Sequence, residues 1–369
     1  MALLEIRGLC KAFDHVVLDR LDLDVEAGEF FVVVGPSGIG KTTLLRCVAG
    51  LESPQAGTVR VRGEDISALP PYRRNVALTF ESYALYPHLT VFENIASPLR
   101  ARRRPAEEIR RKVMEVARLL RIEHILEHRP GEISGGQKQR TALGRTLVRD
   151  PDVFLLDEPI SHLDAKIRQE LREQFHHLEE LRRTATLYVT HDYAEALSLG
   201  DRIGVMGPGG LVQIGSPEEV FERPQSLFVA RHLGQPTINL LPAELLAEAD
   251  GVKLQLEGTS TRLSLSPAQA AALSGYDGRR VVLGVRPHHI ALLDGGSARA
   301  DGRELVEARV ELYEPLGAKG VLLAELGPFR LNLLTPVERS FRPGESVRLA
   351  FDESAFLLFC PDRGINLIG

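Results

Sequence analysis

One stretch limits what this chain can become more than any other. An apolar run, Phe30 to Val34, leads directly into Gly35-Pro36-Ser37-Gly38-Ile39-Gly40-Lys41-Thr42-Thr43. The run is short and rich in β-branched residues, as suits a strand buried on both faces of a parallel sheet. The loop has the full GxxxxGK[ST] spacing, and the apolar residues after it end at Gly50, a residue placed to stop a helix. Gly35, Gly38 and Gly40 let the backbone fold tightly round phosphate oxygens. Lys41 supplies a point charge for β and γ phosphates, and the Thr42 hydroxyl is a ligand for Mg²⁺. Pro36, Ser37, Ile39 and Thr43 are expected to complete the cradle.

Two further apolar runs end in residues suited to the same chemistry. Val153 to Leu156 is followed by Asp157-Glu158-Pro159, which puts two carboxylates at the carboxyl edge of a parallel sheet, where doubly wound folds bind ligands. Asp157 is expected to hold Mg²⁺ through water, and Glu158 to orient and deprotonate the attacking water. Ala185 to Thr190 delivers His191 to that edge as a γ-phosphate sensor, with Asp192 and Glu195 placed to cap the following helix. Between these runs lies Ile133-Ser134-Gly135-Gly136-Gln137. Its hydroxyl and bare backbone N–H groups suit an anion at a helix N-terminus. One chain with two phosphate cradles implies a composite site shared by two subunits.

These motifs, in this order and spacing, resemble those of the ATP-binding subunits of ABC transporters, and among them the importer ATPases that serve sugars, polyols and glycerol phosphate. The resemblance covers nearly the whole chain. It implies a P-loop α/β ATPase domain over residues 1–235, with an inserted helical subdomain at about 88–150, and an all-β, OB-like (TOBE) regulatory domain over 236–369. In such proteins GPSGIGKT is the Walker A loop, ISGGQKQR the signature, VFLLDEP the Walker B strand, Ser161 to Asp164 the D-loop, and Thr190-His191-Asp192 the switch-histidine segment. ATP and Mg²⁺ are the implied ligands. Phe13 matches the aromatic that stacks on adenine in this family, although an aromatic there also reads as an ordinary strand residue. The implied partners are a second ATPase subunit, identical or different, transmembrane permease subunits and a solute-binding protein. The permease would receive the surface at Tyr83 to His88, which places this chain on the cytoplasmic face of the plasma membrane.

One departure is consequential. Where the family reads FQSYALYPH, this chain has Glu81 between Phe80 and Ser82. A glutamine offers Mg²⁺ a carbonyl oxygen and gives a neutral amide near the lytic water, whereas glutamate keeps the acceptor and loses the donor. Glu81 thus counts as a metal ligand and a catalytic residue. It also adds negative charge near Asp157 and Glu158. Two readings stay open: a tolerated swap in a metal site, or a weakly hydrolytic regulatory subunit paired with a second, glutamine-bearing ATPase. Ile133 for leucine leaves the anion contacts alone. His162 stands for the usual asparagine in the D-loop, which the resemblance implies touches the partner subunit, and is expected to tune communication between sites.

The rest of the chain fits this frame. Its 369 residues exceed one ordinary core and suit two domains. A formal net charge of -5 and the lack of a basic stripe with interleaved aromatics argue against nucleic acid. Cys10, Cys47 and Cys360 are scattered, as in reduced thiols. The N-terminus is broken by Glu5, Arg7 and Lys11 and reads as a first strand, and no run approaches the roughly 18 apolar residues of a membrane span. Pro105 to Leu126 is amphipathic, with Ile109, Val113, Val116, Ala117 and Leu120 on one helical face. Asp164 to Arg183 repeats that pattern, and Pro208-Gly209-Gly210 turns a hairpin. Arg102 to Arg104 reads as a solvated helix entry. Beyond Gln235-Pro236, runs at Val252–Leu256, Val281–Val285, Leu305–Leu312, Val321–Leu326 and Ser346–Phe351 are set apart by Gly and Pro, the pattern of a small barrel.

Overall fold

The computed structural model describes residues 2–80, 82–161, 163–177, 184–249, 251–293, 305–317, 319–336 and 339–368. Glu81 and His162 lie outside the described residues, as does the far end of the helix expected up to Arg183. The chain divides into two units, Met1–Glu218 and Glu219–Gly369.

The first unit carries strands β1 (Ala2–Ala12), β2 (Val16–Glu26), β3 (Phe30–Val34), β4 (Ala56–Val61), β5 (Glu64–Asp65), β6 (Val76–Thr79), β7 (Val153–Asp157), β8 (Ala185–Thr190), β9 (Arg202–Gly207) and β10 (Gly210–Gly215). Six of them form a sheet in the order β10-β9-β3-β8-β7-β6, parallel from β9 to β6 and closed by the β9–β10 hairpin. Every residue of β3, β7 and β8 is buried. Such strands tolerate apolar side chains on both faces, which is why each reads as a continuous apolar run. The other four make an antiparallel sheet in the order β2-β1-β4-β5. Its Leu4, Ile6 and Val25 share one core with Phe31, Leu44 and Leu155.

The helices of this unit are α1 (Lys41–Ala49), α2 (Val91–Ala101), α3 (Ala106–Leu119), α4 (Gly135–Leu147), α5 (Ala165–His177) and α6 (Tyr193–Leu199). The expected amphipathic helix is α3. Ile109, Val113, Ala117 and Leu120 are buried along it, but it stops at Leu119, and a 3₁₀ turn covers Glu123–Ile125. Arg121, with φ +53, breaks the helix, since an L-residue cannot continue an α-helix from the left-handed region.

The second unit is almost all strand: β11 (Asn239–Glu248), β12 (Gly251–Leu256), β13 (Arg262–Ser264), β14 (Arg280–Val285), β15 (Ile290–Leu293), β16 (Leu305–Leu316), β17 (Lys319–Leu326), β18 (Phe329–Pro336), β19 (Ser346–Phe351) and β20 (Leu357–Phe359). Two five-stranded antiparallel sheets result, ordered β13-β12-β11-β14-β20 and β15-β19-β16-β17-β18. Leu254, Leu283, Leu322, Leu333, Leu349 and Leu358 fill a single core. A reciprocal pair of hydrogen bonds between Asn239 and the backbone of Asn332 ties β11 to β18. The unit begins 17 residues before the expected boundary at 235 because the short helices α7 (Pro217–Glu222) and α8 (Leu227–His232) are bonded to later residues. The buried Arg286 guanidinium donates to the Phe221 and Leu233 carbonyls, Asn366 donates to Pro224, and Leu227 N–H to Gly364.

Candidate functional site

The parallel strands β3, β8, β7 and β6 all end at one edge of the sheet, and β8 lies between β3 and β7. That order sets the site. The loop after β3, the residue after β8 and the carboxylates at the end of β7 become neighbours although they are far apart in sequence.

The loop after β3 is tight because nothing larger than glycine fits at its two ends. A Cβ on Gly35 would lie 2.6 Å from the Met206 carbonyl oxygen, and one on Gly40, where φ is +115, would lie 2.7 Å from Val17 Cγ1. From Gly40 the chain enters α1, whose first turn holds no acidic residue and whose last turn holds Arg46. The missing acid leaves its positive N-terminal end open to an anion, while Arg46 complements the opposite end. Lys41 is buried and curls back over the loop, its ammonium donating to the Gly35 and Pro36 carbonyls at 2.8 and 3.0 Å. Ser37 and Gly38 at the crest are exposed, and Ile39, Thr42 and Thr43 are half-buried. The Thr42 hydroxyl donates to Asp157 Oδ1 at 3.1 Å, so the loop and the end of β7 meet through two hard oxygen donors.

Glu158 follows in the left-handed region, with φ +44. For a residue with a Cβ that conformation costs about 1–2 kcal/mol. Four bonds hold its backbone: its N–H donates to the Val189 carbonyl at 3.0 Å, and its own carbonyl accepts from Gln139 Nε2 at 3.0 Å, Ser161 Oγ at 3.1 Å and Ser161 N–H at 3.4 Å. The turn brings Glu158 Oε2 to 2.8 Å from His191 Nδ1. Glu158 is 14% exposed and His191 52%, so the pair has a sheltered and an open end.

The expected helix start is there, and Ser134, whose hydroxyl is expected to face an anion, is the N-cap of α4. Its hydroxyl accepts from Gln137 N–H at 3.3 Å while Gln137 Oε1 accepts from Ser134 N–H at 2.9 Å, a reciprocal capping box. Gly135 has open space where a Cβ would stand, and one on Gly136 would meet Leu163 Cδ2 at 3.3 Å. Phe13 sits 55% exposed between β1 and β2, with the Lys11 ammonium 4.7 Å from its ring centre.

The structure therefore joins Thr42 to Asp157, Glu158 to His191, and Gln139 to Glu158. Several residues that serve the site carry no motif. Arg168 donates to the Ser161 and Leu163 carbonyls and faces Asp192 Oδ2 at 3.5 Å, which fixes the turn after Glu158. Asp192 caps α6 as expected, accepting from Ala194 N–H. Glu195 does not cap. It is fully buried and accepts from the Tyr188 and Thr190 hydroxyls at 2.7 and 2.8 Å, and burial raises its pKa against the lowering effect of those two bonds. Arg145 donates to the Tyr83 and Ala84 carbonyls and lies 5.6 Å from the Tyr86 ring centre, and buried Asn94 accepts from Tyr86 N–H. Nothing in the spacing of Arg168, Arg145 and Asn94 marks them out, and the sequence marks Asp192 and Glu195 only as caps.

A parallel sheet whose edge combines a lysine-bearing phosphate loop, a hydroxyl–carboxylate pair and a carboxylate–imidazole pair defines a P-loop nucleotide hydrolase. Comparisons with known proteins narrow the class. A family model described as ABC transporter matches residues 18–161, one for the MalK OB fold domain matches 234–290, and one for the TOBE domain matches 283–359. The trehalose/maltose import ATP-binding protein MalK of Thermococcus litoralis is 42% identical, with 99% of each chain covered. The sn-glycerol-3-phosphate import ATP-binding protein UgpC of Salmonella paratyphi A is 41% identical, again over 99% of both. A solved dimeric bacterial ABC transporter cassette, MJ0796, superimposes with a TM-score of 0.54 at 28% identity, covering 58% of this chain and 98% of its own. The chain belongs to the ATP-binding proteins of the ABC transporter family and is an ATPase.

Proposed function

We propose that this chain is the energy-coupling subunit of an importer for a sugar, a polyol or a glycerol phosphate. The observation that carries the proposal is the meeting of Thr42 with Asp157 and of Glu158 with His191 at one sheet edge. The relatives that match over full length are named as import ATP-binding proteins for trehalose, maltose and sn-glycerol-3-phosphate, which supports the solute class.

In this reading, Lys41 exchanges its loop carbonyls for the β and γ phosphates of ATP, and the N–H groups from Gly38 to Thr43 line the remaining phosphate oxygens. The donor set fits Mg²⁺. Thr42 and Asp157 offer hard oxygens about a hydrogen bond apart, and no cluster of three or more His, Cys, Asp or Glu able to hold a metal occurs among the described residues. Mg²⁺ is held by one or two carboxylates and completes its shell with hydroxyl, phosphate and water oxygens. Mg²⁺ bound there would offset negative charge as it develops on the phosphates. Glu81, beside this edge in sequence, is assigned as a further oxygen ligand. Glu158 takes the proton of the attacking water, and His191 holds the Glu158 carboxylate in place while its exposed edge meets the γ-phosphate. Phe13 stacks on adenine. Ser134 to Gln137 close on the γ-phosphate of a second subunit, identical or different.

Tyr83 to His88 is the proposed docking surface for permease subunits, which a solute-binding protein would supply. No helix among the described residues is long and apolar enough to cross a membrane, so attachment to the cytoplasmic face is assigned to that docking.

Two variants of the purified chain test the roles. Lys41→Ala and Glu158→Gln should each lower turnover by about 100-fold or more, and Glu158→Gln should still bind ATP. Hydrolysis at the wild-type rate in either variant overturns the assignment.

A further inference from the structure

Lys11 belongs to none of the phosphate motifs, yet it is buried beside the Phe13 ring. Its ammonium donates to the Ser53 carbonyl at 2.9 Å and pairs with Glu52 at 3.1 Å. Those residues belong to the segment that wraps the end of α1. Gly50, with φ +76, donates to the Cys47 carbonyl, and the N–H groups of Leu51 and Glu52 both donate to Arg46. Two residues later Gln55 makes a second link. Its amide oxygen accepts from Ala12 N–H at 2.9 Å, its amide nitrogen donates to the Ala12 carbonyl at 2.8 Å, and its backbone N–H donates to Cys10. The turn that presents Phe13 is thus bolted at residues 10, 11 and 12 to the far end of the helix that begins at Lys41.

We propose that Lys11 is a positioning and base-selecting residue for ATP. It fixes the Phe13 platform to the phosphate-loop helix, and its charge beneath one face of the ring strengthens stacking of a purine on the other. The proposal rests on Phe13 as the adenine platform. A ring face is the negative part of the aromatic quadrupole, and a cation lying against one face draws that density toward itself. The opposite face becomes less repulsive to the electron-rich surface of a purine. A pyrimidine, with a smaller stacked area, gains less. Gln55 supplies position without charge, which allows the two contributions to be separated.

The test uses the intact purified chain. Dissociation constants for ATP and CTP are read by displacement of a fluorescent ATP analogue, and kcat is measured beside them. Lys11→Met keeps the length of the side chain and removes the charge. It should weaken ATP about fivefold, weaken CTP by clearly less, and leave kcat within about twofold. Lys11→Arg should keep the wild-type preference, and Gln55→Ala should weaken both nucleotides alike. Equal weakening of ATP and CTP in Lys11→Met, or a fall in kcat at unchanged affinity, overturns base selection. If Lys11→Met does not fold, loss of the wild-type preference in Lys11→Arg, which retains charge, has the same force. Phe13→Ala separates the two levels: unchanged ATP affinity in that variant sinks the platform itself, whereas weakened affinity with an inert Lys11→Met sinks the inference about Lys11 alone.

Discussion

At the residue scale the site depends on side chains whose work is hidden from a motif. Asp157, Glu158 and His191 announce themselves because each ends an apolar run, and the chain can be read up to that point. Glu195 does not. From the sequence it looks like an acid in the first turn of α6, attracted there by the helix dipole. In the structure it is buried beneath that turn, with Tyr188 and Thr190 bonded to one oxygen and no partner for the other. The deciding fact is the direction of β8, whose alternate residues project their hydroxyls into the space under α6. Direction in three dimensions is not written in spacing. The groups round Glu195 also fix how stability responds to pH. Burial raises its pKa above 4.5, as does the nearby Asp192, while Tyr188, Thr190 and Arg168 act the other way. The folded state therefore holds this proton more tightly than the unfolded chain does. Stability from this group is greatest below the unfolded value and declines as pH rises through the folded one. Glu195→Gln removes the titration and keeps an acceptor for both hydroxyls. Its melting temperature relative to wild type should be more favourable at pH 8 than at pH 5, and an equal difference at both values would show that Glu195 does not titrate in this window.

At the scale of elements, the parallel strands and the helix after the phosphate loop were legible because burial on both faces leaves an unbroken apolar run. Strand β11 was not. Asn239 to Glu248 contains Leu-Pro-Ala-Glu-Leu-Leu-Ala-Glu, good helix formers with one proline, and its local preference opposes its state. Pairing with β12 on one side and β14 on the other overrides that preference, and Pro242 lies opposite Val282 within the ladder. The segment between β6 and α2 shows the same dependence on distant partners. Tyr83 and Ala84 are both left-handed, with φ of +61 and +44, a run of two that L-residues seldom hold unaided. Arg145, near the end of α4, donates to both carbonyls, and desolvation lowers its pKa. The helix that begins at the signature thus ends on the turn proposed to meet the permease. Arg145→Ala should free that turn, read as faster amide hydrogen exchange from Tyr83 to Tyr86 with little change elsewhere in α4. Unaltered protection there would mean that Asn94 and the local turn bonds hold the segment by themselves.

For the whole molecule, the question is what the ISGGQ helix start is for. Within this chain Ser134 and Gln137 are occupied with each other, and a Cβ on Gly135 would meet only open space. The chain's own packing gives no reason for glycine at 135. The phosphate that the proposed function brings from another subunit would give one, because a side chain there would stand between the backbone N–H and the anion. The solved cassette that shares this fold is a dimer, and on the proposed function an isologous pair of this chain would hold two equivalent composite sites, each with the loop of one subunit and the signature of the other. The arrangement predicts complementation between two inactive variants. Gly135→Asp should fold normally, bind ATP through its intact loop and fail to hydrolyse it, while Lys41→Ala fails for want of the loop lysine. When the two are mixed and allowed to exchange, half of the dimers are mixed. Each mixed dimer pairs the good loop of the Gly135→Asp subunit with the good signature of the Lys41→Ala subunit at one site, and combines both defects at the other. If the sites act independently, ATPase activity should return to about a quarter of the wild-type rate. A mixture no more active than its parts would mean either that Gly135 serves its own chain or that one working site cannot turn over alone. Glu158→Gln distinguishes these, since it should accumulate as an ATP-held dimer by light scattering only if the signature of one subunit meets the nucleotide of the other.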